Sequence, residues 1–230
     1  GNTAVSGDAV AAFHKRGYAA VTLVNEMPTL LQTYGFHALA RQAAEASDVL
    51  VFPCREVERI FRAAHGRVTA RAVIRPQGVL KPNRFLGRRG EARRIVTARH
   101  GLAAEAPLAV CSGFADLRKG PDLFVSVARQ MIREGAEANF LWVGNAVPEL
   151  RAWLEHDLRA ADLARRVLFT GFREDDDRYL AAADLFLLTS REDPFPNVML
   201  SAMEAGLPIV AFAGSGGAEE ALAGGCAVRA

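Results

Sequence analysis

Few features of this sequence suit a disulfide scaffold, a metal centre, a membrane span or a nucleic-acid platform. The three cysteines, Cys54, Cys111 and Cys226, are far apart and set among apolar or small residues. An odd, scattered set argues against a disulfide framework and a zinc site, and reads as reduced buried thiols in a cytoplasmic protein. The five histidines show no His-x-x-x-His spacing, so no metal is expected. Aromatic residues make up 8% of the chain and none interleaves with the arginine clusters at Arg88, Arg89, Arg93, Arg94 and at Arg165, Arg166. Stacking platforms are therefore missing, and those clusters read as solvated helix faces. A formal net charge of +2 is too small to argue for nucleic acid or an anionic surface as partner. No apolar run approaches the roughly 18 to 20 residues of a membrane span. The start, Gly1-Asn2-Thr3, has neither Met nor a signal-peptide pattern, which reads as a piece cut from a longer chain.

What the sequence does contain is half apolar and rich in Ala, Leu and Val. Short β-branched or apolar runs alternate with helical patterns, the signature of parallel sheets covered on both faces. Strands are expected at 18–24, 48–52 and 70–74, with helices at 30–47 and 56–65. Residues 76–90 hold two prolines, three glycines and several cations without periodicity, as a linker would. A basic helix follows at 88–100. Alternation then restarts, with strands at 108–111, 139–143, 167–170, 184–188 and 208–212. Helices are expected near 122–134, 148–161, 176–182, 197–205 and 218–223. The expected architecture is α/β with two Rossmann-like parallel-sheet domains, both incomplete. Residues 1–76 would form the first, partial domain, 77–106 a linker and connecting helix, and 107–230 the second domain.

The most informative stretch is 191–220, REDPFPNVMLSAMEAGLPIVAFAGSGGAEE. Two successive helix N-termini open here off loops at the carboxyl ends of strands. Exposed N–H groups and the helix dipole favour an anion at such places. Earlier, Gly113-Phe114-Ala115-Asp116-Leu117-Arg118-Lys119-Gly120 follows the first strand of the second half and brings two cations beside a helix start. Gly144-Asn145 and Gly171-Phe172 end the next two strands, where glycine lets a ligand approach the backbone. Gly214-Ser215-Gly216-Gly217 completes neither G-x-G-x-x-G nor G-x-S-x-G, and no P-loop is present.

The order G-F-A-D-L-R-K-G, F-L-W-V-G-N, V-L-F-T-G-F, S-R-E-D-P-F-P-N-V-M-L-S-A-M-E-A-G-L-P-I-V-A and G-G-A-E-E resembles the group 1 retaining glycosyltransferases of GT-B fold. The resemblance covers nearly all of 108–230. It extends more weakly to Val73-Ile74-Arg75-Pro76-Gln77-Gly78-Val79, which looks like an interdomain segment, and to Asn25-Glu26-Met27-Pro28, which looks like an acceptor-domain loop.

The resemblance implies transfer of a sugar from a UDP- or GDP-linked donor to a carbohydrate or lipid-linked acceptor, with retention and without a catalytic metal. It implies no cofactor beyond the donor, a setting in polysaccharide biosynthesis, and peripheral membrane association of the full-length protein. Gly113, Arg118 and Lys119 would clamp the diphosphate. Gly144, Asn145, Gly171 and Phe172 would hold the base. Phe195, Pro196, Asn197 and Val198 would present backbone to the sugar and phosphate.

The family's E-x(7)-E motif falls on Asp193 and Ser201, so an uncharged hydroxyl stands where an acid usually grips the ribose. Glu192 could substitute for Asp193. Pro196 replaces a usual glycine and removes an N–H donor. Phe114 stands where many members place an arginine, and Asn25 where relatives often carry histidine. Asp193, Glu192, Asn25 and Glu26 are the candidate catalytic residues. Each also has a structural reading: Asp193 as a loop acid before a helix, Ser201 as a packing residue, Glu220 as a dipole partner, Asn25 and Glu26 as loop caps. Two other functions fit the same residues, a GT-B-fold sugar-nucleotide epimerase and a nucleotide-binding module without turnover.

Overall fold

In the computed structural model, residues 1–66, 68–223 and, as backbone, 227–229 are described. They form two compact units: Gly1–Gly78 with Glu192–Pro196 and Gly214–Leu222, and Val79–Arg191 with Asn197–Ala213 and Ala223–Ala230. Among the described residues no helix is long and apolar enough to cross a membrane.

The smaller unit carries a three-stranded parallel sheet of β1 (Val21–Leu23), β2 (Val49–Phe52) and β3 (Arg71–Ile74), in that order. Around it lie α1 (Gly7–His14), α2 (Pro28–Thr33), α3 (His37–Ala46) and α4 (Arg55–His65). The single helix expected over 30–47 is broken. Gly35 adopts φ 67°, and Phe36 N–H reaches back to the Leu31 carbonyl at 2.8 Å, closing α2 before α3 starts. A left-handed glycine with this bond is a helix stop, which outweighs the alanine-rich propensity around it. Helix α1, which the sequence reading leaves unassigned, buries Val10 and Ala11 with Ala20 and Ala46. Arg67 lies outside the described residues.

The larger unit carries six strands: β4 (Leu108–Ser112), β5 (Asn139–Val143), β6 (Val167–Phe169), β7 (Leu185–Leu188), β8 (Ile209–Ala211) and β9 (Ala227–Arg229). All are parallel, in the order β6-β5-β4-β7-β8-β9. This is the doubly wound 3-2-1-4-5-6 order, whose switch point lies between β4 and β7. Its helices are α5 (Arg89–His100), α6 (Pro121–Arg133), α7 (Pro148–Ala160), α8 (Asp176–Ala182) and α9 (Asn197–Glu204); α10 (Gly217–Leu222) belongs to the smaller unit. Every residue of β4 and β5 is buried, as continuous apolar runs in a covered parallel sheet should be. Phe124 packs edge-on against Phe140 and Trp142, with ring centroids 6.2 and 5.5 Å apart, and Phe169 stacks on Trp142. Cys54 and Cys111 are buried and form no disulfide among the described residues; Cys226 lies outside the described residues.

Within the arginine clusters, Arg88, Arg89, Arg94 and Arg165 are exposed, whereas Arg93 and Arg166 are partly buried and structural. Arg93 pairs with Asp184 at 2.7 Å and donates to the carbonyls of Ala104, Ala106 and Ala182. Arg89 joins the same carboxylate, which also accepts from Leu108 N–H at 2.8 Å. Arg166 donates to the carbonyls of Ala136 and Ala138. Arg93 and Arg166 thus aim their guanidinium forks at backbone oxygens that a helix-face reading does not foresee.

Residues 79–88, for all their irregular sequence, are tied down within the larger unit. Lys81 pairs with Asp176 at 2.7 Å, and Arg84 grips Asp177 through two nitrogens at 2.7 and 2.8 Å. Asn83 donates to the Asp177 carbonyl and, through its backbone, to Glu204. Arg84 holds the buried Asp177 carboxyl below the usual carboxylate range.

Burial pushes the imidazoles of His65 and His100 below their usual range. His65 lies 4.5 Å from the Phe61 ring with both nitrogens lacking a hydrogen-bond partner, and His100 meets the Tyr179 hydroxyl at 2.9 Å. A base with a depressed folded pKa binds fewer protons folded than unfolded. Stability must therefore fall as pH drops below about 6.5, by up to about 1.4 kcal/mol per pH unit for each ring. Urea unfolding at pH 7.5 and 5.5 checks this; a free energy that is flat or higher at pH 5.5 refutes it.

Candidate functional site

At the switch point, the β4–α6 loop is built around a tight turn. Asp116 accepts the Lys119 N–H on its side chain at 2.8 Å, and its carbonyl accepts Lys119 and Gly120 N–H groups at 3.1 and 3.2 Å. Gly120 then sits at φ 70° as the N-cap residue of α6, with Pro121 opening the helix. Lys119 Cε comes within 3.9 Å of where a Gly113 side chain would begin, so the lysine stem lies over the end of β4. Arg118 Nε stands 3.9 Å from Asp116. These contacts hold the two cations beside a helix N-terminus, as an anion site requires.

Three strand-end loops are joined beyond the sheet. Gly144 N–H donates to the Gly171 carbonyl at 3.0 Å, and Phe172 N–H to Asn145 Oδ1 at 2.9 Å. Ala115 N–H donates to the Asn145 carbonyl at 2.8 Å, and Val147 N–H returns to the Ala115 carbonyl at 3.1 Å. Trp142, whose ring is in the core, sends Nε1–H to the Gly113 carbonyl at 2.9 Å. The core aromatic thus fixes the height of the first loop. Phe114 and Phe172 are exposed, at 54% and 67%. Two apolar rings held in water at one end of a sheet are available to a flat ligand.

From the other side of the switch point, residues 189–191 brace the cation-bearing turn. Thr189 Oγ donates to the Gly120 carbonyl at 2.9 Å, and Arg191 N–H to the Arg118 carbonyl at 2.8 Å. The Arg191 guanidinium forks onto Asp122 at 2.8 and 2.6 Å. Ser190 is 1% exposed and its Oγ has no hydrogen-bond partner; Asn197 Oδ1, at the start of α9, is likewise buried without one. Buried polar atoms left in this state mark a place where a ligand or water belongs. Val198 and Ser201 follow on α9, both partly buried.

The remaining candidates belong to the smaller unit. Asp193 is 4% exposed and locked by its backbone: its N–H donates to the Ser215 carbonyl at 2.7 Å and its carbonyl accepts Gly217 N–H at 3.2 Å. Phe195 and Pro196 are buried beside it in sequence. Glu192 accepts from Thr29 Oγ at 3.1 Å, near the start of α2. Glu220 accepts from Arg55 N–H at 2.8 Å at the start of α4, so it serves the dipole of another helix as well as its own. Asn25 Oδ1 accepts from Gln77 at 3.2 Å. The Glu26 carboxylate is filled by Thr3 Oγ, Ala4 N–H and its neighbour Asn25 N–H, the capping arrangement.

The sequence reading assigns no role to Thr189, Ser190, Arg191 or Asp122, although Ser190 and Arg191 stand in the quoted motif. A Thr-Ser-Arg run directly after a buried strand, just before the acidic motif, is the signal that points to them. Among the described residues no group of three or more His, Cys, Asp or Glu side chains could hold a metal ion.

The family model described as glycosyl transferases group 1 matches residues 106–229. A GDP-mannose-dependent monoacylated alpha-(1-6)-phosphatidylinositol monomannoside mannosyltransferase from Corynebacterium glutamicum is 29% identical over 191 residues, covering 78% of this chain and 48% of its own length. A 2-deoxystreptamine N-acetyl-D-glucosaminyltransferase from Niallia circulans is 33% identical over 103 residues, 44% of this chain and 26% of its own. The chain thus spans about half or less of these curated relatives. Among solved structures, sucrose-phosphate synthase from Thermosynechococcus elongatus superposes with a TM-score of 0.78 at 19% identity, covering 99% of this chain and 59% of that one. HepE from Anabaena, solved with UDP-glucose, gives 0.74 at 20% identity, covering 93% and 59%. With over half of its residues under that family model, and with parallel sheets that match those of GT-B structures, the chain belongs to the group 1 glycosyltransferases.

Proposed function

We propose that this chain carries the donor-binding part of an enzyme that moves a sugar from a nucleoside-diphosphate donor to a carbohydrate or lipid-linked acceptor, with retention and without a catalytic metal. Residues 107–230 form the donor domain in this reading, 77–106 the connection, and 1–76 part of the acceptor side. The observation that carries it is the turn bearing Arg118 and Lys119, braced from both sides at the switch point of a doubly wound sheet. A diphosphate leaving group gains charge as the glycosidic bond breaks, and preorganised cations beside a helix start stabilise that gain. The base lies against the Gly144, Asn145, Gly171 and Phe172 loops. Asp193, Glu192, Asn25 and Glu26 are the catalytic candidates in this reading. UDP and UDP-glucose complexes of the Anabaena relative support a uridine donor, and the GDP-mannose-dependent relative supports a guanosine one. A cytoplasmic enzyme of polysaccharide biosynthesis fits the same reading. Ser201 in place of an acid favours one second reading, a module that binds the nucleotide without turnover.

Thermal denaturation with UDP, GDP, uridine and guanosine tests the donor reading. A nucleoside diphosphate at about 100 times its Kd should add roughly 2.7 kcal/mol of stability, and the nucleosides much less. No shift with either diphosphate overturns the reading. Radiolabelled transfer by the full-length parent then separates an enzyme from a binding module.

A further inference from the structure

The side chain of Arg191 is a feature of the larger unit that the donor reading leaves unused. It sits immediately after Ser190 and contacts the cation-bearing turn in three ways. Its backbone N–H donates to the Arg118 carbonyl at 2.8 Å. Its Nη1 donates to the Leu117 carbonyl at 2.8 Å. Its two terminal nitrogens fork onto both oxygens of Asp122, at 2.8 and 2.6 Å. Thr189 completes the row by donating to the carbonyls of Lys119 and Gly120, at 3.3 and 2.9 Å. Four consecutive carbonyls, from Leu117 to Gly120, are therefore turned toward residues 189–191.

That row has an electrostatic meaning. A carbonyl oxygen turned toward an anion repels it, whereas an N–H group attracts it, so fixing four carbonyls on one side aims the turn's dipoles for an anion. Asp122 presents the opposite problem. It lies in the first turn of α6, where its negative charge would compete with a phosphate for the same helix N-terminus. A bidentate guanidinium cancels that charge in a geometry that a lysine matches poorly. Arg191 also holds the Asp122 carboxyl below its usual range, so the carboxylate stays ionised and paired.

Resting on the donor reading above, we infer that Arg191 is a positioning residue for the diphosphate clamp: it fixes the backbone of the turn bearing Arg118 and Lys119 and neutralises Asp122 beside the anion site. It touches no reacting atom. Its action runs through its neighbours.

Calorimetry with UDP, GDP and the matching nucleosides, on wild type, Arg191→Gln, Arg191→Lys, Asp122→Asn and the double variant Arg191→Gln/Asp122→Asn, tests it. Arg191→Gln should weaken the preferred diphosphate about five- to fiftyfold and leave its nucleoside within twofold. The loss should shrink as pH falls toward 4, because the unpaired Asp122 then takes up a proton. Arg191→Lys should recover part of the affinity, and the double variant should recover more than half of the loss on a logarithmic scale. A purely structural arginine would give neither the pH dependence nor the recovery on removing Asp122. A diphosphate-to-nucleoside preference unchanged in Arg191→Gln, or a double variant no better than the single, overturns the inference. Amide hydrogen exchange at Lys119 and Gly120 reads the brace without any ligand and should be about tenfold faster in Arg191→Gln. Unchanged exchange overturns the brace whatever the nucleotides do. A wild-type chain that binds neither diphosphate overturns the donor reading, and the exchange result then still decides the brace.

Discussion

Gly144→Ala is expected to cost the larger unit more than about 4 kcal/mol, a size reached only by a few mechanisms. An added Cβ would collide with the Gly113 carbonyl oxygen, and the residue sits at φ 144°, a conformation that L side chains rarely adopt. The strained dihedral alone costs about 1 to 3 kcal/mol. The oxygen cannot retreat cheaply either, because Trp142 Nε1 holds it at 2.9 Å and Trp142 is fully buried against Phe124. Relief of the clash would therefore loosen the aromatic core. Gly135→Ala is the control: φ is also positive, at 94°, but nothing lies within 4 Å of the new atom. Its cost should stay near the strain alone. Urea unfolding of both variants decides the matter; losses within about 1 kcal/mol of each other would show that the loop yields and that the packing argument is wrong.

Lys119→Ala should weaken nucleoside-diphosphate binding roughly ten- to hundredfold and leave the nucleoside nearly unchanged. An ammonium beside a helix start addresses phosphates, not a base, and a hydrogen bond to a charged group is worth about 1.5 to 3 kcal/mol. The turn around Asp116 is made by the Lys119 backbone, so truncating the side chain leaves the loop's geometry in place. Arg118→Ala should act in the same direction with a smaller loss, since part of its charge is directed toward Asp116. Ser201→Ala should change little, because a hydroxyl offers at most a neutral hydrogen bond. Isothermal calorimetry with UDP and GDP is the measurement. A Lys119→Ala affinity within about twofold of wild type, a change of only ~0.4 kcal/mol, would make the lysine a surface residue.

Much of the larger unit is legible in the sequence because its signals are local. Strands β4 and β5 are apolar runs with one polar end residue each, Ser112 and Asn139, and each is followed by a glycine where the chain must turn at positive φ: Gly113 at 137° and Gly144 at 144°. What escapes a sequence reading depends on partners far away along the chain. Arg93 and Arg166 read as solvated because the carbonyls they meet cannot be inferred from a helix face. Arg191 meets Asp122 across 69 residues, so no short window of sequence contains the pair. The break between α2 and α3 is a different failure: Gly35 is in plain view, but the alanine-rich pattern beyond it argues for one continuous helix. Of the acidic residues, Glu26 and Glu220 accept N–H groups at helix starts 22 and 165 residues away, contacts that spacing alone does not reveal.

The smaller unit is contiguous in space but not along the chain, and this bears on how the protein could be dissected. It takes Glu192–Pro196 and Gly214–Leu222 from a stretch otherwise given to the larger unit. Proteolysis or truncation at Gly78 would not release an intact piece. The excised fragment would lack Glu192, which receives Thr29 in α2, and Glu220, which receives the first N–H of α4. Two helices would lose their distant acceptors at once, and Cys54 would lose the Pro194 carbonyl it faces at 3.5 Å. A fragment ending at Gly78 is therefore a poor scaffold for grafting or crystallisation, whereas insertions at the exposed Gly17 turn, where nothing crowds the backbone, leave both excursions in place.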